Sequence, residues 1–154
     1  MLLVVMAILP EPPELLQFLE PYPSHIRDLM RGARERMLEI LPPVSEIVYD
    51  ANSAAIVGFS FTHRATDNFI HMPAYSNHVN LGFTWWARLF DSEGRLLGKG
   101  SQVRHLTLTC LEMLDEPYVL DLIDQAATLA PRPSEPLVPT SIIKVMAGTK
   151  RRPR

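Results

Sequence analysis

The stretch HVNLGFTWWARLFDSEGRLLGKGSQVRHLTLT, residues 78–109, decides the fold class. HVNLGFTWWARLF and QVRHLTLT are rich in β-branched and aromatic residues and are separated by turn residues, so both read as strands. DSEG, residues 91–94, is a turn between them, with Asp91 and Gly94 supplying the turn chemistry. The spacing is too short for a helical crossover, so the pairing should be antiparallel. A phosphate loop needs glycines that open a helix. The glycines of LLGKG precede a strand instead, which disfavours a nucleotide cradle.

Upstream, SEIVYDAN, AAIVGFSFT and FIHMPAYS have the same strand composition, giving about five strands in all. A helix is expected from about Ser24 to Leu41. Ser24 is its N-cap candidate, Pro42-Pro43 ends it, and Ile26, Leu29, Met30, Ala33, Met37, Ile40 and Leu41 form its apolar stripe. Arg27, Arg31 and Arg34 share another face and, interleaved with Asp28, Glu35 and Glu39, read as solvated. A second helix is expected over about 116–129, capped by Asp115, with Pro117 in its first turn and a stripe of Val119, Leu122, Ile123, Ala126 and Ala127. The expected fold is α+β in two layers: a mainly antiparallel sheet of about five strands, with an N-terminal and a C-terminal helix on one face.

The length of 154 residues suits one domain with a real core. Fourteen prolines punctuate it, clustering at 10–23, 42–43 and 131–139. They divide the chain into a proline-rich N-terminal arm (1–23), the α+β domain (24–130), and a proline-rich strap with a basic tail (131–154). The apolar start MLLVVMAILP lacks the basic and small-residue flanks of a signal peptide and is too short to cross a membrane. An extra strand, a partner contact or a start-site artefact is the expectation there.

Net charge is only −2, so attraction of the whole molecule to nucleic acid or to an anionic membrane is not implied. Five of the 15 bases, Lys144, Lys150, Arg151, Arg152 and Arg154, crowd the tail without an acid, while the other ten face all 17 acids. The tail reads as a solvated, frayed terminus, with contact to nucleic acid as the alternative. A single cysteine, Cys110, excludes a disulfide within the chain and fits a reducing, cytoplasmic setting. Its apolar neighbours make it a small buried hydrophobe.

Arg104 and His105 are adjacent on a strand and should point to opposite faces of the sheet. His63, His71, His78 and His105 are spaced by 8, 7 and 27 residues, which matches no compact metal motif. Trp85 and Trp86, read on one strand, should also face opposite ways, leaving an aromatic surface for self-association. No nucleophile elbow, paired carboxylates or Cys-His arrangement calls for an enzyme.

The run VYDANSAAIVGFSFTHRATDNFIHMPAYSNHVNLGFTWWARLFDSEGRLLGKGSQVRHLTL, residues 48–108, is similar to the bacterial YdhG-like family, a domain of unknown function also described as frataxin-like. The YSNHVNLGF strand, the D-x-E-G-x-L-x-G-K-G turn and the V-R-H strand carry the resemblance, which covers about residues 24–130. The ending SIIKVMAGTKRRPR looks like that of one subgroup. The resemblance implies a small domain of helix, antiparallel sheet, then helix. Some relatives are described as iron chaperones, which makes iron the cofactor to consider. For that cation the second helix offers Glu116, Asp121 and Asp124, while VYDANSAAI departs from the family's commoner W/Y-G-x-P-x-Y pattern.

The chain is therefore expected to be a module that binds a small ligand or a protein partner, with nothing in the sequence requiring an enzyme, and to act as a homodimer. Tyr75, His78, Lys99, Arg104 and His105 are the candidate contacts for a small molecule or anion. Phe83, Trp85 and Trp86 are the candidate dimer surface. An iron-binding metallochaperone and a protein associating with nucleic acid through its tail are the alternatives, and no membrane role is expected.

Overall fold

A computed structural model describes residues 9–153 of the chain. Three helices, α1 (Pro13–Leu19), α2 (Ser24–Ile40) and α3 (Pro117–Leu129), accompany six strands. The strands are β1 (Ser45–Asp50), β2 (Ala55–Ser60), β3 (Ile70–Pro73), β4 (Val79–Thr84), β5 (Val103–Leu108) and β6 (Ser141–Val145). They form one sheet in the order β5-β4-β3-β2-β1-β6. Consecutive strands from β1 to β5 pair antiparallel. β6 lies parallel to β1, so the sheet is mixed and has one strand more than the sequence suggested.

Alternation divides every strand between two faces. One paired row, Ser141–Glu46–Phe59–Ile70–Phe83–Arg104, crosses all six strands. Its apolar members join Val48, Val57, Met72, Leu81, Leu106 and Leu108 in a single core with the buried stripes of the helices. α2 contributes Ile26, Leu29, Met30, Ala33 and Met37, and α3 contributes Val119, Leu122, Ile123, Ala126 and Ala127. The helices therefore serve one face of the sheet.

Four local expectations are corrected. Ser24 is the first residue of α2, and no side chain caps that helix. Asp115 does not cap α3 either; it pairs with Arg36 at 2.9 Å. Arg34 is not on a solvated ridge: it is 3% exposed and bonded to Glu46, which is fully buried. Cys110 is exposed rather than buried.

The tryptophan pair marks a corner, not a strand. β4 stops at Thr84, Trp85 takes a left-handed conformation at φ 58°, and Trp86–Arg88 forms a short 3-10 turn. A non-glycine residue holds that conformation only where its surroundings compensate. The Trp86 indole N–H supplies part of this by donating to the carbonyls of Gly100 and Ser101 at 3.2 and 3.0 Å. The DSEG turn is fixed from inside by Asp91, which accepts from the amides of Gly94, Arg95 and Leu96 and from the Tyr118 hydroxyl of α3. Burial alone would raise the Asp91 carboxyl, but these bonds outweigh it and hold it below the usual range. Burial and the bond to Asp91 push Tyr118 up to about 12.

From residue 9 to residue 153, the arm, the strap and the tail belong to this architecture. In the arm, α1 buries Leu15, Phe18 and Leu19 after opening on Pro13, a residue suited to a first turn. The strap is tied down by Arg132, whose guanidinium lies 3.5 Å from the Phe61 ring centroid, and by His63 against the Val138 carbonyl at 3.2 Å. The tail is not frayed. Beyond β6, Lys150 donates to the carbonyls of Asp50 and Met146, and Arg152 bonds the Asp50 carboxylate and the Ala51 carbonyl. Two of the tail's cations thus spend their charge within the chain. The expectation for the apolar start falls, for residues 1–8, outside the described residues.

Candidate functional site

The face of the sheet away from the helices carries a second row across all six strands: Ile142, Ile47, Gly58, His71, Gly82 and His105. Beside it runs Lys144, Tyr49, Ile56 and Pro73, with Asn80 opposite Thr107 further along the same face. Two of the central positions are glycines, and each is occupied from above by a polar side chain. A Cβ on Gly82 would lie 2.6 Å from His71 Nε2, so the imidazole rests on the backbone of β4. A Cβ on Gly58 would lie 2.5 Å from Asn68 Nδ2, so the carboxamide rests on β2. Glycine inside a strand is the feature that permits such approaches.

Asn68 is delivered by the β2–β3 loop. There Thr62 Oγ1 donates to Asp67 at 2.7 Å, and the Ser60 hydroxyl accepts from the Thr62 amide at 3.0 Å. Asn68 and His71, with Tyr49, Ile56, Ala65 and Met146, line an open groove of about 310 Å³. Tyr49, Ile56 and Met146 give the groove an apolar wall. Asn68 Oδ1 is buried and has no hydrogen-bond partner among the described residues, and Asn80 Oδ1, on the same face but outside the groove lining, is in the same condition. Most buried acceptors in proteins are satisfied, so two on one face need a reason.

Protonation of His71 and His105 on this face is disfavoured. His71 is pushed below its ordinary value by burial and then by the charge of His105. His105 is lowered by burial and then by His78. Because the folded state resists protonation at these rings while the unfolded chain does not, stability is complete above the unfolded histidine value, about 6.5, and is lost as pH falls below it. Urea denaturation is expected to give a lower unfolding free energy at pH 5 than at pH 7.5, with the difference reduced in His71→Gln. An equal slope in that variant would remove His71 as the cause.

Gly82→Ala tests the seating of the ring. The new methyl meets the far end of a side chain, so the imidazole should move and the sheet should stay, at a cost of about 1 kcal/mol. The His71 titration, followed by its ring-proton resonances, is expected to climb back toward its ordinary value. An unchanged titration would mean that the ring does not rest there.

The five candidate contacts do not form one site. His105 lies on the open face, where His71 and Asn80 also stand. Arg104 lies on the helix side, as alternation required, with its guanidinium 3.8 Å from the Trp86 ring centroid and its Nε without a partner among the described residues. Tyr75 and His78 stack at 4.9 Å across the β3–β4 turn, and His78 Nδ1 is 2.8 Å from Asn77 Oδ1. Lys99 is exposed in the turn before β5. Of the dimer candidates, Phe83 is wholly buried and so presents no surface, while Trp85 and Trp86 are half-buried against the core. Asn68, Asn80 and Tyr49 were not anticipated. The mid-strand glycines at 58 and 82 were the signal that could have pointed to this face.

Compared with protein-family models, curated proteins and solved structures, the chain matches none. Among the described residues, no three of His, Cys, Asp or Glu are placed to hold one metal ion, and no helix is long and apolar enough to cross a membrane.

Proposed function

We propose that this chain is a YdhG-like binding module that takes a small molecule on the helix-free face of its sheet, in the groove between Asn68, His71 and the Tyr49–Ile56–Met146 wall. The observation that carries the reading is the groove itself, in which the Asn68 and His71 side chains meet an apolar wall of Tyr49, Ile56 and Met146 on the helix-free face. An apolar wall with a few convergent polar groups is the usual composition of a ligand pocket, and a volume of about 310 Å³ is at the small end of such sites. The single cysteine supports a cytoplasmic setting as part of the same proposal. The homodimer is kept in the proposal on the half-buried Trp85 and Trp86 and the helix-free face alone, since Phe83 offers no surface.

The test is a fragment screen by amide-shift mapping on the isotope-labelled chain. Perturbations are expected to cluster at Ile56, Asn68, His71 and Met146. Shifts confined to the helix side, or none from the whole library, would sink the proposal.

A further inference from the structure

We infer that Arg104 holds a small oxyanion, a carboxylate or phosphate group, at a site on the helix side of β5 that is separate from the groove of the opposite face. Three described guanidiniums lie over aromatic rings. Arg95, over Tyr118, has Glu116 at 3.1 Å, and Arg132, over Phe61, donates to the Ala127 carbonyl at 3.1 Å. Arg104, 3.8 Å from the Trp86 ring centroid, forms no ion pair and no hydrogen bond among the described residues. Its Nε is buried and so closed to a ligand, but Nη1 and Nη2 are not, and they keep their N–H donors at the surface. The indole face offsets part of the hydration that this half-buried cation has lost, yet it takes up none of those donors.

The open edge of the guanidinium selects the ligand. With Nε inside, only the end-on approach remains, in which Nη1 and Nη2 each meet one oxygen of a single group. An ammonium offers only hydrogens to a group that has only hydrogens to give. A carboxylate or phosphate accepts two parallel bonds and brings the counter-charge. The surroundings suit an anion. The Trp86 amide donates to the Gln102 carbonyl at 3.3 Å, and its indole N–H donates to those of Gly100 and Ser101, so the segments after β4 and before β5 lie together. Residues 84–90 and 96–108 contain Arg88, Lys99 and Arg104 and no Asp or Glu. The two acids between them are engaged, Asp91 by backbone amides and Tyr118, and Glu93 by Arg95 at 3.6 Å. These segments therefore lend the site a positive field, which concentrates anions there. The anchored indole also fixes the plate beneath the guanidinium, so the fork is in place before the ligand arrives.

Sodium acetate and sodium phosphate, each exchanged for sodium chloride at fixed ionic strength, test this on the isotope-labelled full chain, with acetamide as the neutral control. The readouts are the Arg104 Nε–H and Trp86 indole N–H resonances. At least one oxyanion is expected to shift both to saturation, acetamide is expected to shift neither, and the oxyanion that saturates at lower concentration identifies the group. Arg104→Lys, which keeps the charge and loses the fork, should weaken binding about tenfold, the value of one charge-assisted hydrogen bond. Lys99→Ala, which removes an exposed charge outside the fork, should weaken it by less than about threefold. No saturation by either oxyanion would overturn the inference, as would unchanged affinity in Arg104→Lys. A larger loss in Lys99→Ala than in Arg104→Lys would also overturn it, by moving the anion to the loop. Where the lysine variant does not fold, the exchange against chloride on the unmodified chain decides alone. Shifts confined to Ile56, His71 and Met146 would overturn this site and leave the groove standing.

Discussion

Arg34→Met is expected to lower the unfolding free energy by about 3–5 kcal/mol, the usual consequence of removing one member of a buried ion pair. Arg34 donates from Nε and Nη2 to the two carboxylate oxygens of Glu46, each at 2.7 Å, in the two-pronged geometry that suits a guanidinium. Glu46 is 0% exposed, and its neighbour across β2 is Phe59. Ser141 of β6 donates to the same carboxylate at 2.5 Å. The guanidinium also reaches the carbonyls of Leu9 and Pro10, each at 3.1 Å, so one buried pair joins the chain before α1, α2, β1 and β6. Methionine fills the space but leaves a negative charge facing Phe59 without a counter-charge. The double variant Arg34→Met/Glu46→Leu is expected to recover most of the loss, because a well-packed apolar pair often matches a buried ion pair in stability. Urea denaturation of the three proteins decides it. A loss below about 1 kcal/mol in Arg34→Met would show that water reaches Glu46 once the guanidinium is gone.

Arg34 also shows what a sequence can and cannot disclose. Positions 30, 33 and 37 are on the apolar stripe, and 34 follows 30 by one turn, so its inward aim could be read from the spacing alone. Its partner could not, because Glu46 sits inside what reads as an ordinary strand and the pairing depends on how α2 lies over β1. Periodicity gave α2 and α3 with ends correct to within a residue, and composition located β1, β2 and β3. Parallel pairing has no local mark, so β6 hid in a segment whose bases suggested a free tail. α1 hid behind prolines, which signal a break in the middle of a helix but are at home in its first turn. At the candidate site, alternation correctly separated Arg104 from His105. The loop that carries Asn68 onto Gly58 is a tertiary event, and only the glycine hinted at it.

Phe83→Ala is expected to cost about 3–5 kcal/mol, as truncation of a fully buried aromatic does, and to leave the oligomeric state unchanged. Phe83 is paired with Ile70 on one side and Arg104 on the other, in the row that faces the helices. Truncation leaves a cavity in the core, and a rigid sheet can close it only in part. An aromatic dimer surface would respond differently: the monomer would keep its stability and association would weaken. Denaturation and sedimentation measured on the same variant therefore separate the two roles. The error traces to Trp85. Had β4 continued to residue 86, Phe83 and Trp85 would share a face and Trp86 would oppose them. The left-handed turn at Trp85 ends that alternation one residue after Thr84. It sends Trp86 under the Arg104 guanidinium, where the ring covers a cation that would otherwise sit bare beside the core. Trp86→Ala should accordingly cost less than Phe83→Ala, since it removes a half-buried cover and opens no cavity in the core. The reverse order of losses would place the weight of this edge of the sheet on the corner and not on the row beneath it.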